Sequence, residues 1–544
     1  MIANRRNQNC CLVSLYLCTA LGLFASPSAV ADSKCASVPG LSESYASGWG
    51  IDQRNTRYQP RSTLNADNAD KLKLKWTYGL ASNTPRAYPL VTEDTIFVGD
   101  GGRGLVALDR ETGCERWLFE HTGNISSAIV RGNVRGNVRG DVGDQPILIF
   151  TDRFNGGVYA VNADNGTLHW HIRVTDEPVP FYSGTPIVTE DSVYVPVASM
   201  EVVLATNPFY GCCTTSGGLA AFDINTGEQR WYLPTIEAPA KQTGSHWFFV
   251  QEYGPSGAPV WGAPSYDKAL NWLFFGTGQN YTHPATDTSD AIFAVDAATG
   301  KTVWRRQYTA NDVYTAACND EAWNHPNCDK PTGPDVDFGA PTLLLTSPGG
   351  KELVVAGQKS AEAHAMDRTT GEKVWTTRLG RGGIIGGVHW GLAANESLGL
   401  LFVPISDKEI VGFPAPGEPK PGLYALDLDT GAERWQYERP SRCADQECVF
   451  GLSAAIIAAN NIVITGSMDG YLIALDAQTG KELWVHDAWR DYESVNGVVT
   501  KGGAFDAHGP MLADDLLIVT AGYGYVGRQR GGNALLVFQV EEEH

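Results

Sequence analysis

No cysteine in the 544-residue chain is followed by histidine, so the CxxCH attachment of c-type haem is absent. Basic residues are scarce: 41 Lys and Arg stand against 61 Asp and Glu, a formal charge of −20. A surface that acidic repels phosphate, which argues against nucleic acid and anionic lipid as partners. No strand–GxGxxG–helix unit that could cradle a dinucleotide occurs. Long apolar runs are missing after residue 31, so no later segment is expected to span a membrane. What the chain does have is 60 Gly, 29 Pro and 15 Trp. That composition suits many short strands joined by turns and disfavours long helices.

Residues 1–31 read as a signal peptide. Arg5 and Arg6 supply the positive start, residues 11–24 an apolar run, and Ala29-Val30-Ala31 a small-x-small cleavage pattern. Cleavage near Ala31 places the mature protein in the periplasm or outside the cell, with residues 32–544 forming one domain. Eight cysteines then remain, and an even number in an oxidising compartment favours disulfides. Proximity in sequence pairs Cys318 with Cys328 and Cys443 with Cys448, which leaves Cys35 for Cys114. The adjacent Cys212 and Cys213 are expected to bond to each other.

One pattern recurs seven times: an apolar strand ending in Asp or Asn, then x-x-[TN]-G, then three residues and Trp. The copies run from LVALDRETGCERW, ending at Trp117, through those at Trp170, Trp231, Trp304, Trp375 and Trp435 to LIALDAQTGKELW at Trp484. Each reads as strand, tight turn, strand, with the acidic residue bonding its own turn and Gly supplying a positive φ. Trp-to-Trp spacings of 49 to 73 residues fit a four-stranded propeller blade with variable loops. The chain ends carry the halves of an eighth copy: LKLKWTYGL around Trp76 and NALLVFQV from residue 533. Joining them closes an all-β, eight-bladed propeller inside a single blade. The tract VRGNVRGNVRGDV, residues 130–142, is expected to be a solvated surface loop.

A propeller implies no activity, so chemistry must come from polar residues at strand ends. Glu201 lies at the end of the strand VYVPVASMEVV and is either a calcium ligand or a channel-lining charge. Gln279 and Asn280 follow a Gly turn, and amide oxygens are hard donors suited to calcium. Asp335 and Asp337 precede a new apolar strand, where one carboxylate could serve as a general base. Strand alternation predicts that Asp335 points to the opposite face from Asp337. Lys359 stands just after a strand, able to pair with a carboxylate or an anionic group.

With these segments in view, the chain resembles the pyrroloquinoline quinone (PQQ) dependent alcohol dehydrogenases. The segments that carry the resemblance include VYVPVASMEV, VWGAPSYDKALNWLFFGTGQNY, DVDFGAPTLL, VAGQKSAEAHAMD and GGVHWGLAA. YGCCTTSGGLAAFD and GRGGIIGGVHWG resemble the polyvinyl-alcohol dehydrogenases within that family. The resemblance makes Glu201 the calcium-binding glutamate and Asp337 the catalytic aspartate that also touches calcium. It makes Trp261 the ring on which the quinone stacks and Lys359 the cation beside the reactive carbonyls. Arg103 falls on an arginine that binds a PQQ carboxylate, Ser183 on a hydroxyl at the ring edge, and His389-Trp390 on an Asn-Trp pair near the cofactor. The family's calcium-binding Asn falls on Gln279, with Asn280 next. Gly339 stands where lanthanide-using relatives have an extra Asp, which points to calcium.

The resemblance thus implies oxidation of a secondary alcohol, polymeric or small, by PQQ and Ca2+, with electrons leaving to a separate cytochrome c. Polyvinyl alcohol is the expected substrate. Two other readings are a quinoprotein for another alcohol or a polyether, and a non-enzymatic propeller scaffold of envelope assembly.

Overall fold

Each repeat turns back on itself for the reason its sequence gives. In the first, Asp109 Oδ1 accepts hydrogen bonds from the amides of Glu111 and Thr112 and from the Thr112 hydroxyl. Gly113 closes the turn at φ 73°. The returning strand carries the Trp opposite a buried alanine, as in Ala107–Trp117 and Ala365–Trp375. The small alanine leaves the indole room to lie against the next sheet. Trp375 Nε1–H donates to the Leu428 carbonyl at 3.0 Å, and its ring covers Gly431, where a Cβ would sit 2.6 Å from ring carbon. The repeat glycine therefore serves both the turn and the neighbour's indole.

This computed structural model describes residues 35–541 apart from 36–40, 136–143, 178, 248, 320–323, 409–416, 439–448, 450 and 525–528. The signal peptide expected at residues 1–31 and the Cys443–Cys448 pair lie outside the described residues. Eight antiparallel sheets form the blades of a propeller. Seven follow in chain order: residues 90–120, 130–173, 187–234, 265–307, 343–378, 393–438 and 457–487. The eighth is built from both chain ends. Leu72–Gly79 pairs with Ala534–Val540, which pairs in turn with Leu516–Ala521. Trp76 then docks on the first blade as the repeat tryptophans do, donating to the Arg110 carbonyl and covering Gly113. Closure joins the last blade to the first, so that only the short edge strands of each blade remain.

Two expectations need correction. Residues 130–135 of the triplicate tract are not a loop but the inner strand Val130–Arg135 of the second blade. Its Val130, Gly132 and Val134 face inward, so alternation outweighs the polar composition. The strand before Glu201 ends at Ser199, and Glu201 begins a one-turn helix, Glu201–Leu204.

The segment before the first blade binds the ring together. Backbone carbonyls of Gln53, Arg54, Thr56 and Arg57 accept amides from Tyr266, Leu344, Ala394 and Ala458, the inner strands of four successive blades. Arg57 is fully buried between the rings of Trp49 and Tyr88 and donates to the carbonyls of Trp49, Ile456 and Pro510.

Candidate active site

Two kinds of loop share one end of the blades: those entering the inner strands and those joining the second strand to the third. The entering loops supply Arg86, Ser126, Ser183, Trp261, Asp337, His389, Ser453 and His508, one from each blade in turn. The second kind supply Arg103, Glu201, Gln279 and Lys359. Expected and unexpected site residues therefore occupy equivalent positions around the ring.

At the centre lies a charged triad. Lys359 Nζ sits 2.7 Å from Asp337 Oδ2 and 3.2 Å from Asp335 Oδ1, with all three side chains buried. The expected opposition of Asp335 and Asp337 fails because residues 335–340 are not a strand. Asp335 takes φ 54°, which swings its carboxylate to the same lysine. Burial disfavours the lysine's charge, but the two carboxylates more than reverse this and hold its pKa above the ordinary value. Burial raises the Asp335 carboxyl well above its usual range and pushes Asp312, behind it, up to about 6. The other oxygen of Asp337 accepts the Gln279 amide at 2.8 Å. That approach needs Gly278, where a Cβ would lie 2.6 Å from the carboxylate oxygen.

Gln279 and Asn280 now separate. Asn280 is committed to its own loop: Oδ1 accepts the Thr286 amide, and Nδ2 donates to the Ser256 carbonyl and the Thr286 hydroxyl. Gln279 Oε1 is buried and has no hydrogen-bond partner among the described residues. The free amide oxygen beside Asp337 is that of Gln279.

Next to the triad is a flat slot. Trp261 lies with Lys359 Nζ 5.4 Å from its ring centre, edge-on to His389 and Trp390 at 5.8 and 5.5 Å. Its six-membered ring covers Gly339 so closely that any Cβ there would overlap it. The slot is lined further by Trp49, Ser183, Thr185 and His508. Four buried polar atoms around it lack partners among the described residues: Ser183 Oγ and the Nε atoms of Trp49, Trp390 and Arg86. Arg86, which the sequence reading missed, stacks its guanidinium 4.4 Å over Trp390. Burial and the nearby cations Lys359 and Arg86 keep His389 well below the ordinary imidazole pKa; burial and Arg86 bring His508 down to about 3. His389 Nδ1 meets the Ser453 hydroxyl at 2.9 Å, which donates to Asp506.

Two expected residues point elsewhere. Arg103 is held within the first blade, bonded to both Glu115 oxygens, to Asp100 and to the Tyr78 hydroxyl. Its charge is answered there by two carboxylates. Glu201 is fully buried, and its oxygens accept bonds from the Tyr210 hydroxyl and from the amides and hydroxyls of Thr214 and Thr215. It secures the loop carrying Cys212 and Cys213. Those two are bonded to each other, as are Cys318–Cys328 and Cys35–Cys114. The first two disulfides pack with Tyr281 and Tyr314 over the Gln279 side of the site.

Residues 47–379 match the glucose/ethanol/alcohol dehydrogenase β-propeller domain family, which carries PQQ. The chain belongs to the PQQ-dependent alcohol dehydrogenases. It is 30% identical over 508 residues to a polyvinylalcohol dehydrogenase of Sphingopyxis sp. strain 113P3, covering 91% of this chain and 76% of that one. A polyvinylalcohol dehydrogenase of Pseudomonas sp. is 31% identical over 506 residues, with the same coverage. The quinohemoprotein alcohol dehydrogenase of Comamonas testosteroni shares the fold, with a TM-score of 0.64 at 19% identity, over 92% of this chain and 81% of that one. Residues 288–497 also match an outer membrane protein assembly factor; that stretch holds four of the docking repeats and lacks Trp261 and Gln279.

This quinoprotein's own residues fit its cofactor. A planar anion would find an indole face, held in place by its packing on Gly339, and donors from Arg86, Ser183, Trp49 and Trp390 that are unpartnered among the described residues. A divalent cation would find Gln279 Oε1 and the Asp337 carboxylate. Glu201, expected among the metal ligands, accepts bonds at both oxygens from Tyr210 and the Thr214–Thr215 loop, as Asp337 does from the Gln279 backbone N–H and Lys359. Among the described residues no group of three or more His, Cys, Asp and Glu side chains is arranged to hold a metal, so the hard amide oxygen matters to the donor set.

Proposed function

We propose that this dehydrogenase oxidises secondary alcohol groups of polyvinyl alcohol to ketones, using PQQ and Ca2+, and passes electrons to a separate cytochrome c. The substrate reading rests on the two relatives named for that polymer, similar over 91% of the chain. Export by residues 1–31 fits the eight cysteines left after cleavage and a substrate too large to enter a cell.

The observation that carries the chemistry is the Asp337 carboxylate, held at one oxygen by the Gln279 amide and at the other by Lys359. Bound PQQ supplies a two-electron acceptor, with the calcium as a Lewis acid at its carbonyl. Asp337 is the general base: fixed from both sides, it takes the hydroxyl proton of the substrate. Lys359 keeps its proton because both carboxylates hold it charged, and it stabilises negative charge developing next to Trp261. Trp261, packed on Gly339, would offer the acceptor an indole face, and Arg86 and Ser183 would donate to its carboxylates. Gln279 Oε1 and Asp337 hold the cation.

Reconstitution tests this. The purified chain should gain dye-linked activity on polyvinyl alcohol only when PQQ and Ca2+ are both present. Activity without PQQ, or dependence on a nicotinamide cofactor, would overturn it.

A further inference from the structure

A second cavity lies in the insertions of the third and fourth blades, against Thr282 and His283 of the loop that follows Gln279. It measures about 550 Å³ and is lined by Cys212, Thr243, Glu252, Tyr253, His283 and Asp329 among others. Such a volume suits a drug-sized ligand and far exceeds what one small alcohol fills. Its floor is the Cys212–Cys213 loop, the same loop that Glu201 secures next to the Gln279–Asp337 corner. One wall is the hairpin of strands Lys241–His246 and Val250–Gly254.

That hairpin and the loop carrying Phe209 present aromatics to solvent. Phe209, Trp247 and Phe249 are 66%, 45% and 65% exposed, and the Phe209 and Trp247 rings lie 5.3 Å apart. The patch is continuous with the cavity. His246 bonds the cavity residue Glu252 at 3.1 Å and abuts the Trp247 ring edge-on at 5.2 Å. Exposed aromatic clusters of this kind mark binding surfaces.

We propose that this cavity and its aromatic rim form a subsite for an extended polyol chain, holding the polymer while one of its hydroxyls reaches Asp337. The proposal rests on the polymer reading above. A chain of alternating CH2 and CHOH groups presents apolar edges to aromatic faces and hydroxyls to acceptors. The rim and wall offer that alternation: Phe209, Trp247 and Phe249, then Glu252, Asp329 and the Thr243 hydroxyl. The acidic acceptors suit neutral hydroxyl donors and disfavour an anionic ligand.

The test compares the holoenzyme with Phe209→Ser/Trp247→Ser/Phe249→Ser, all exposed positions, on polyvinyl alcohol and on 2,4-pentanediol as a small secondary alcohol. The variant should raise KM for the polymer by roughly tenfold, equivalent to ~1.4 kcal/mol, with kcat at saturation and the kinetics on 2,4-pentanediol unchanged. Quenching of tryptophan fluorescence by added polymer should weaken in parallel. Equal losses on both substrates would assign the aromatics a structural role and overturn the proposal. Unchanged polymer KM would overturn it too, and a raised KM for the electron acceptor in that case would make the patch an acceptor-docking surface. Should the parent oxidise 2,4-pentanediol but not the polymer, the polymer reading itself fails.

Discussion

The two ends of the blades are built on opposite terms. At the repeat end, seven copies of one turn bond polar groups locally: Asp or Asn bonds its own turn, and the indole N–H finds the next blade's carbonyl, as Trp170, Trp231 and Trp435 do at 2.8 to 3.0 Å. At the loop end, no two loops match, and buried polar atoms are left without partners. Asp290 shows it most plainly, with both oxygens buried and unpartnered, its carboxyl driven well above the usual range by burial and by Asp312. Unsatisfied polar groups are costly. They persist where a ligand completes them, and the repeated end provides the stability that tolerates them.

The sharpest break of this contrast is Asp337→Asn. It keeps an oxygen for a cation and removes the base, so kcat should fall by roughly 10²–10⁴-fold while PQQ still binds, measured by cofactor absorbance and steady-state kinetics. Asp335→Asn leaves the shorter Asp337–Lys359 pair and should cost less than about tenfold, ~1.4 kcal/mol. If the two exchange behaviours, Asp335 is the base.

A second test reads the loop end through pH. Glu177 has one oxygen buried without a partner, and burial, then the charge of Glu201, pushes its pKa from 4.5 up to about 7. With the folded value raised, the unfolded chain ionises first as pH climbs past 4.5. Stability is therefore lost between about 4.5 and 7 and stays lost above. Glu177→Gln mimics the protonated form. It should match the parent near pH 4 and exceed it by up to ~3 kcal/mol at pH 8, measured by denaturant unfolding of the cofactor-free chain. A difference that is constant with pH would show that Glu177 titrates in the fold as it does in the unfolded chain.

Arginines supply a third. Arg86 carries an unpartnered Nε at the slot, whereas Arg103 is held by Asp100 and Glu115. A hydrogen bond to a charged group is worth ~1.5–3 kcal/mol, so Arg86→Gln should weaken PQQ binding by roughly 10–100-fold. Arg103→Gln should leave it nearly unchanged, as titration followed by tryptophan quenching would reveal. The reverse result would restore Arg103 as the carboxylate ligand.

The same contrast explains what could be read from sequence. The docking repeats, the seam through Trp76 and Ala534–Val540, and three of four cysteine pairs were legible because each depends on a local pattern repeated or closed. Asp337, Lys359 and Trp261 were reached by resemblance, and the structure brings them together. Asp335 was misdirected because strand alternation does not apply where φ is positive. Arg103 was assigned to a cofactor carboxylate by resemblance, and its pairing with Glu115, across a turn, is visible only in three dimensions. Arg86 went unseen, yet its position had a signal: it stands in the loop entering an inner strand, as Ser183 and His389 do.

The smallest expected effect belongs to the repeat end and tests whether that end is purely structural. Trp375→Phe keeps an aromatic ring over Gly431 but removes the N–H that donates to the Leu428 carbonyl. One buried hydrogen bond contributes ~1 kcal/mol, somewhat more if the carbonyl is left bare. Thermal unfolding should therefore occur a few degrees lower, since a domain this large moves by about 2–4 °C or less per kcal/mol. Because Trp375 lies on the outer strand of the fifth blade, with Lys359 at the opposite end of that sheet, kcat and PQQ affinity should be unchanged. If either shifts by more than about threefold, strain at the repeats reaches the Asp337–Lys359 pair, and the two ends are not independent.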